Sequence, residues 1–183
     1  MELRTDRLLL RPFRPEDAEE LFRLWNDPQV RHYLWDDQPV AREVVREQIA
    51  LSQRDFRERG FGMFTLLLST QPGQLIGFCG LRRIDAGEEI EILYGLLPGF
   101  WKQGLATEAA QAVLRLGFEH LGLEEILAGA DLGNAASLRC MQRLGMSDAG
   151  ERLVGPQRLP ARYYRLARRD FAPSPGAWAL HPG

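Results

Sequence analysis

Apolar and polar positions alternate in blocks along the chain, and the blocks change period several times. Leu8-Leu9-Leu10, after Thr5-Asp6-Arg7, reads as a first strand ending near Pro12. Pro15-Glu16-Asp17 then opens a helix, because proline is tolerated in a first turn and acids suit the positive end of the helix dipole. Leu21, Phe22, Leu24 and Trp25 give that helix its apolar face, and Asp27-Pro28 breaks it. A second helix is predicted from Ala41 to Arg59, half exposed, with a thin stripe of Val44, Val45, Gln48, Leu51, Ser52 and Phe56. Gly60-Phe61-Gly62 ends it.

Three strand-like runs follow, Met63 to Leu68, Leu75 to Leu81 and Ile90 to Leu96. Turn chemistry at Gln71-Pro72-Gly73 and at Asp85-Ala86-Gly87 separates them and predicts an antiparallel meander. The strongest helical period runs from Gly104 to Leu121, with Ala106, Ala110, Val113, Leu114, Gly117 and Leu121 on one face. Glu125 to Ala130 reads as a strand, Asn134 to Leu144 as a helix stopped by Gly145, and Arg162 to Leu166 as the last strand. From Ala172 the chain is rich in proline and glycine and is expected to be loose. The sum is a mixed α+β domain over 1–171, built on one main sheet, with a tail at 172–183.

Composition narrows the function classes. The chain has 183 residues, 45% hydrophobic and 26% charged, which suits one soluble domain. A net charge of −2 gives no basic footprint for nucleic acid. No run approaches the roughly 18 apolar residues of a membrane span. Cys79 and Cys140 are far apart and make no disulfide framework, so a reducing compartment, the cytoplasm, is expected. Twenty-three residues are basic, and Lys102 is the one lysine among them, which codon usage explains.

Lys102 nevertheless lies in the segment with the sharpest chemistry, Leu96 to Glu108: a strand end, a loop, then the long helix. The first turn of a helix offers unpaired N–H groups and a partial positive charge, so a phosphate is a natural ligand there. Gly104 and Ala106 carry little bulk, and Lys102 can add a point charge. A glycine before a helix is more often plain turn chemistry. The chain lacks G-x-x-x-x-G-K-[ST], and Gly73, Gly77 and Gly80 do not have dinucleotide-fingerprint spacing. Asp85 and Gly87 begin no calcium loop, and His32 has no metal-ligand spacing with His120 or His181. Asn134 reads as a helix N-cap, with Ser137 nearly one turn later as a second polar group.

Three segments together resemble the GNAT superfamily of acetyl-CoA-dependent N-acetyltransferases, in particular its RimJ/RimL-like branch. Thr5 to Pro12 followed by Asp17-Ala18 is similar to the opening strand and helix. Tyr94 to Ala110 is similar to the acetyl-CoA signature [QR]-x-x-G-x-[GA], with Trp101 at its first position, as the branch commonly has. Asn134 to Met146 is similar to the late N-x-x-S helix and its L-G-[FM] end. The resemblance spans about Leu3 to Phe171. It implies a GNAT fold, a single mixed and mostly antiparallel sheet flanked by helices. It also implies acetyl-CoA as acyl donor, its pyrophosphate on the amides of Lys102, Gln103, Gly104, Leu105, Ala106 and Thr107. The pantetheine arm would lie against the strand at Leu96, held by Asn134, with Ser137 near the sulfur.

Acyl transfer to an amine needs a neutral amine, a polarised carbonyl and a proton for the leaving thiolate. The resemblance implies direct attack in a ternary complex, with backbone N–H near Leu96 polarising the carbonyl and Ser137 serving the thiolate. Glu91 is the candidate base, with Glu89 sharing its face at period two. A solvated edge carboxylate, with water as base, is the alternative. Cys140 has no neighbouring base in sequence and reads as a buried helix residue. His32, Tyr33 and Trp35 either cap the core or face the acceptor. The acceptor is an amine, either a protein N-terminus or a small molecule, and the protein a monomer or homodimer. A non-catalytic acyl-CoA sensor or an interaction module on the same fold is the rival expectation.

Overall fold

A computed structural model describes residues 1–84, 87–155, 157–176 and 178–181. The chain opens as a hairpin, β1 (Glu2–Thr5) and β2 (Leu8–Pro12), where one strand was expected. A short turn at Pro15–Asp17 leads into α1 (Ala18–Asn26). Asp27 ends α1 and caps α2 (Pro28–Arg31), its side chain accepting from the amides of Gln29 and Val30. The predicted break is therefore a re-start. α3 (Arg42–Arg59) matches its predicted span and stops at Gly60, which adopts φ 78°, a left-handed cap glycine reaches without strain.

β3 (Met63–Leu68), β4 (Gln71–Arg83) and β5 (Ile90–Leu96) form the meander. The first turn is not where it was expected. Leu68 pairs with Gln71, so Ser69-Thr70 turn the chain. Pro72-Gly73 fall inside β4, where the register shifts between Leu66 and Leu68. A bulge absorbs what reads as turn chemistry. The second expected turn includes Asp85 and Ala86, which lie outside the described residues. Then come α4 (Leu105–Arg115), a wider π-type turn at Leu116–His120, β6 (Glu125–Asp131), α5 (Ala135–Arg143), β7 (Ser147–Val154) and β8 (Leu159–Ala167).

The tail expected to be loose is ordered over its described end. β9 (Trp178–His181) pairs antiparallel with β1, and the Trp178 indole donates to the Ala112 carbonyl at 3.3 Å. Pairing partners far away in sequence override local glycine and proline content. Pro182 and Gly183 lie outside the described residues.

The nine strands form one sheet in the order β7-β8-β6-β5-β4-β3-β2-β1-β9. Every neighbouring pair is antiparallel except β5–β6. Helices cover both faces. Val113, Leu114 and Ala110 of α4 and Cys140 and Met141 of α5 pack with Ile92 and Leu96 of β5 on one face. Leu21 and Trp25 of α1 and Val45 and Ile49 of α3 pack with Phe78, and Leu93 joins them on the other. Burying apolar area on both faces supplies the main driving force for this arrangement.

One buried carboxylate is fully engaged. Asp17, 2% exposed, accepts from both terminal nitrogens of Arg11 at 2.8 and 2.6 Å, from the Arg14 amide and from the Thr65 hydroxyl. Burial pushes its pKa up, but these bonds outweigh that and hold it below the usual carboxylate range.

Candidate active site at the β5–β6 split

The parallel pair sets the site. Among the described residues β5 and β6 are in register at one position, Glu91 with Leu127. Leu97 donates its amide to Ile76 of β4 at 2.9 Å. Amides alternate along an antiparallel ladder, so Gly95 and Leu93 also face β4. Tyr94 and Leu96 then turn their N–H groups toward β6, beyond the last paired residue. An extended acyl-amide chain entering this split can bond them as an added strand would.

The two sides of the split differ. Tyr94 and Leu96 point to the face covered by α4 and α5. Glu91, by the period of two from Leu93, faces the side of α1 and α3, as does Asp131 by the same period from Leu127.

On the first side stands the loop before α4. Pro98–Phe100 make one tight turn, and the Trp101 indole donates back to the Leu96 carbonyl at 2.7 Å. At the first position of the signature, Trp101 thus ties the loop to the strand end. Lys102 adopts φ 60° and Gly104 φ 78°. Two left-handed residues so close together coil the backbone tightly, a strained state for the lysine. Gly104 caps α4, and the first bond within the helix runs from Glu108 N–H to Gly104 O at 3.0 Å. The amides of Leu105, Ala106 and Thr107 precede that bond and are the unpaired N–H groups of the helix start. Lys102, Gln103 and Gly104 are exposed, Leu105 is buried, and Ala106 and Thr107 are half-buried. Gly104 and the outer face of α4 from Thr107 to Arg115, with Thr5, Asp6 and the segment Pro173–Gly176, line a groove of about 370 Å³.

α5 closes the same side. Asn134 is its N-cap, its Oδ1 accepting from the Ser137 amide at 3.1 Å, and its Nδ2 has no partner among the described residues. Ser137 is half-buried, with its hydroxyl unbonded among the described residues. Its backbone carbonyl accepts from the Tyr94 hydroxyl at 3.3 Å, which pins α5 across the split to β5. Burial, then the neighbouring Cys140 thiol, pushes the Tyr94 pKa far above that of free tyrosine, so the phenol stays protonated. Cys140 is buried as expected, with its Sγ 3.3 Å from the Thr107 hydroxyl. Cys79, opposite Tyr94 in β4, is buried too, and burial raises its thiol pKa well above normal. Tyr94 has one residue-level signal in sequence, a polar aromatic inside a mostly apolar strand; its bond to the Ser137 carbonyl has none.

On the second side Glu91 is 3% exposed, and its Oε1 accepts from Arg82 Nε and Nη2, each at 2.7 Å. Glu91 is therefore a buried, ion-paired carboxylate and not a solvated one. Glu89 lies just before β5, in an exposed pair with Arg152. His32 and Tyr33 split from Trp35. The Trp35 ring packs at 5.5 Å on Trp25 in the core, whereas Tyr33 reaches the β6–α5 loop, donating to Gly133 O at 3.4 Å. Half-burial and the neighbouring Asp36 raise the Asp131 pKa, with His32 acting against them. These groups rim the end of β6.

Residues 7–147 match the family profile described as the acetyltransferase (GNAT) domain. The chain belongs to the GNAT acetyltransferase family. The family assigns the reaction class, acetyl transfer from acetyl-CoA to an amine. This GNAT acetyltransferase is 31% identical over 180 residues to p20 of Bacillus licheniformis, an uncharacterized N-acetyltransferase, covering 93% of this chain and 98% of that one. It is 25% identical over 142 residues to the spermidine N(1)-acetyltransferase of Escherichia coli K12, covering 78% and 74%. Among solved structures, a GNAT-family acetyltransferase from Bacillus anthracis superposes with a TM-score of 0.77 at 25% identity, covering 92% and 99%. RimL, a ribosomal α-N-protein acetyltransferase solved with coenzyme A, superposes with a TM-score of 0.71 at 17% identity, covering 88% and 94%. The RimJ/RimL-like resemblance agrees with a further relative, the putative ribosomal N-acetyltransferase YdaF of Bacillus subtilis, 26% identical over 175 residues and covering 91% and 94%.

Proposed function

We propose that acetyl-CoA enters the split from the α4–α5 side and the acceptor amine from the α1–α3 side. The observation that carries this is that, among the described residues, β5 and β6 pair at Glu91 and Leu127 alone, which leaves the Tyr94 and Leu96 amides facing β6 beyond the last pair. The donor supplies a thioester carbonyl and a good leaving thiolate. The remaining work falls to the chain. Amides from Lys102 to Thr107 bind the diphosphate, with Lys102 as a point charge. Asn134 Nδ2 bonds the pantetheine arm while Oδ1 holds the helix cap. Backbone N–H on β5 polarises the carbonyl. Ser137 donates a proton or hydrogen bond to the thiolate. Glu91, oriented by Arg82, receives the amine proton directly or through water on the opposite face.

The acceptor is a protein N-terminal α-amine or a small amine. Asp36 and Asp131 at the rim favour an acceptor that carries positive charge besides its reacting nitrogen, and the E. coli relative named for spermidine fits that class. The two buried free cysteines suit a cytoplasmic setting, and no helix among the described residues is long and apolar enough to cross a membrane. The test is thiol release from acetyl-CoA against a panel of polyamines, amino acids and N-terminal peptides. Release with one acceptor class identifies it. Tight binding of CoA with no thiol release from any amine overturns the catalytic reading in favour of an acyl-CoA sensor.

A further inference from the structure

The donor loop is held from outside by a segment that none of the chemistry above uses. Thr5 and Arg7 bracket the β1–β2 turn, about a hundred residues before α4, yet both close on Glu108 in the first turn of that helix. The Thr5 hydroxyl reaches Glu108 Oε1 at 2.6 Å, and the Arg7 amide reaches the same oxygen at 3.0 Å. Arg7 Nε and Nη2 take Glu108 Oε2 at 2.7 and 2.6 Å. Arg7 Nη1, at the other prong of the guanidinium, accepts no role on the carboxylate; it donates to the Gln103 carbonyl at 2.9 Å.

That last bond sets a direction. A trans peptide is planar, with its C=O and N–H pointing opposite ways. Fixing Gln103 O on Arg7 therefore turns Gly104 N–H away from Arg7 and toward the mouth of the loop. The strained φ of Lys102 lies on the same short stretch and needs such a restraint to persist. Arg7 also answers an electrostatic problem. Glu108 places a negative charge one turn inside a helix whose first amides are to receive an anion, and the guanidinium cancels it.

We propose that Arg7, with Thr5 and Glu108, is the positioning latch of the donor loop, aiming Gly104 N–H and the following amides at the diphosphate of acetyl-CoA. The proposal rests on the reading of this loop as the diphosphate cradle. Arg7 touches no reacting atom; it acts through the Gln103–Gly104 peptide and through the charge of Glu108.

The readout is the ratio of dissociation constants for pantetheine, which lacks the diphosphate, and CoA, measured by calorimetry and by competition. Arg7→Gln lowers that ratio at least tenfold while pantetheine affinity moves less than threefold. Arg7→Lys falls nearly as far, because an ammonium cannot span Glu108 and Gln103 O together. Adding Glu108→Gln to Arg7→Gln recovers part of the loss by removing the uncompensated carboxylate, which a merely structural role does not predict. An unchanged ratio in Arg7→Gln, or equal weakening of both ligands, overturns the latch. Ala106→Asp tells that failure from failure of the loop reading. It puts a carboxylate over the amides, so a collapsed ratio upholds the cradle whatever Arg7 does, and an unchanged ratio removes the cradle and the latch with it.

Discussion

Ser137 and Glu91 sit on opposite sides of the split, and their substitutions separate in kinetics. Ser137→Ala removes a hydroxyl that has no other partner among the described residues, so stability is kept. Turnover should fall about tenfold to a hundredfold with the KM for acetyl-CoA nearly constant, as for loss of a proton donor acting in the transition state. A rise in KM alone would make Ser137 a binding residue. Glu91→Gln should flatten the rising limb of the pH–rate profile, and an unchanged profile removes Glu91 from proton transfer. The sequence offered both as candidates, Ser137 from the N-x-x-S helix and Glu91 from its place on the strand that leads to the donor loop. It could not show that Arg82 holds Glu91, since that contact depends on how β4 and β5 align. Tyr94 shows the same limit. Its position on a strand is readable, but its bond to the Ser137 carbonyl exists only after α5 has crossed the split.

Helices were more legible than strand pairings. α3, α4 and α5 carry their caps and periods locally, as at Gly60 and Asn134, so their spans follow from nearby residues. β1, β7 and β9 escaped notice because edge or near-edge strands bury little and need no strong apolar alternation. β9 is stabilised by β1 and by Trp178 rather than by its own composition. The Trp178 ring also lies 4.9 Å under the Arg115 guanidinium and 5.1 Å from His120. Trp178→Ala should cost about 2 kcal/mol, since the ring is only half-buried. For a chain of this size that lowers Tm by about 4–8 °C in a thermal melt. An unchanged Tm would show that the tail contributes nothing to the fold.

For the molecule as a whole, acid sensitivity concentrates at Asp17. Its folded pKa lies below the ordinary value of about 3.9, so the stability it contributes is fully present above that value. It is lost as pH falls through the lower folded pKa. Urea midpoints should therefore drop steeply below about pH 4, and Asp17→Asn should flatten that drop. The same substitution at pH 7 should cost about 3–5 kcal/mol, because it strands Arg11, itself mostly buried. A pH dependence identical in wild type and Asp17→Asn would place the acid-labile group elsewhere.

By itself the sequence determined the helix spans, the central strands, the glycine-bearing loop before α4 and the Asn134/Ser137 cap, all of which depend on neighbours within a turn or two. Only the tertiary structure decided that β5 and β6 run parallel and, among the described residues, meet at one pair, that different helices cover the two faces of the resulting split, and that Arg7 reaches Gln103 and Glu108. These join residues up to about a hundred positions apart. Side-chain period and capping chemistry say which residues want to be buried or bonded, but the partner is chosen when the whole sheet closes.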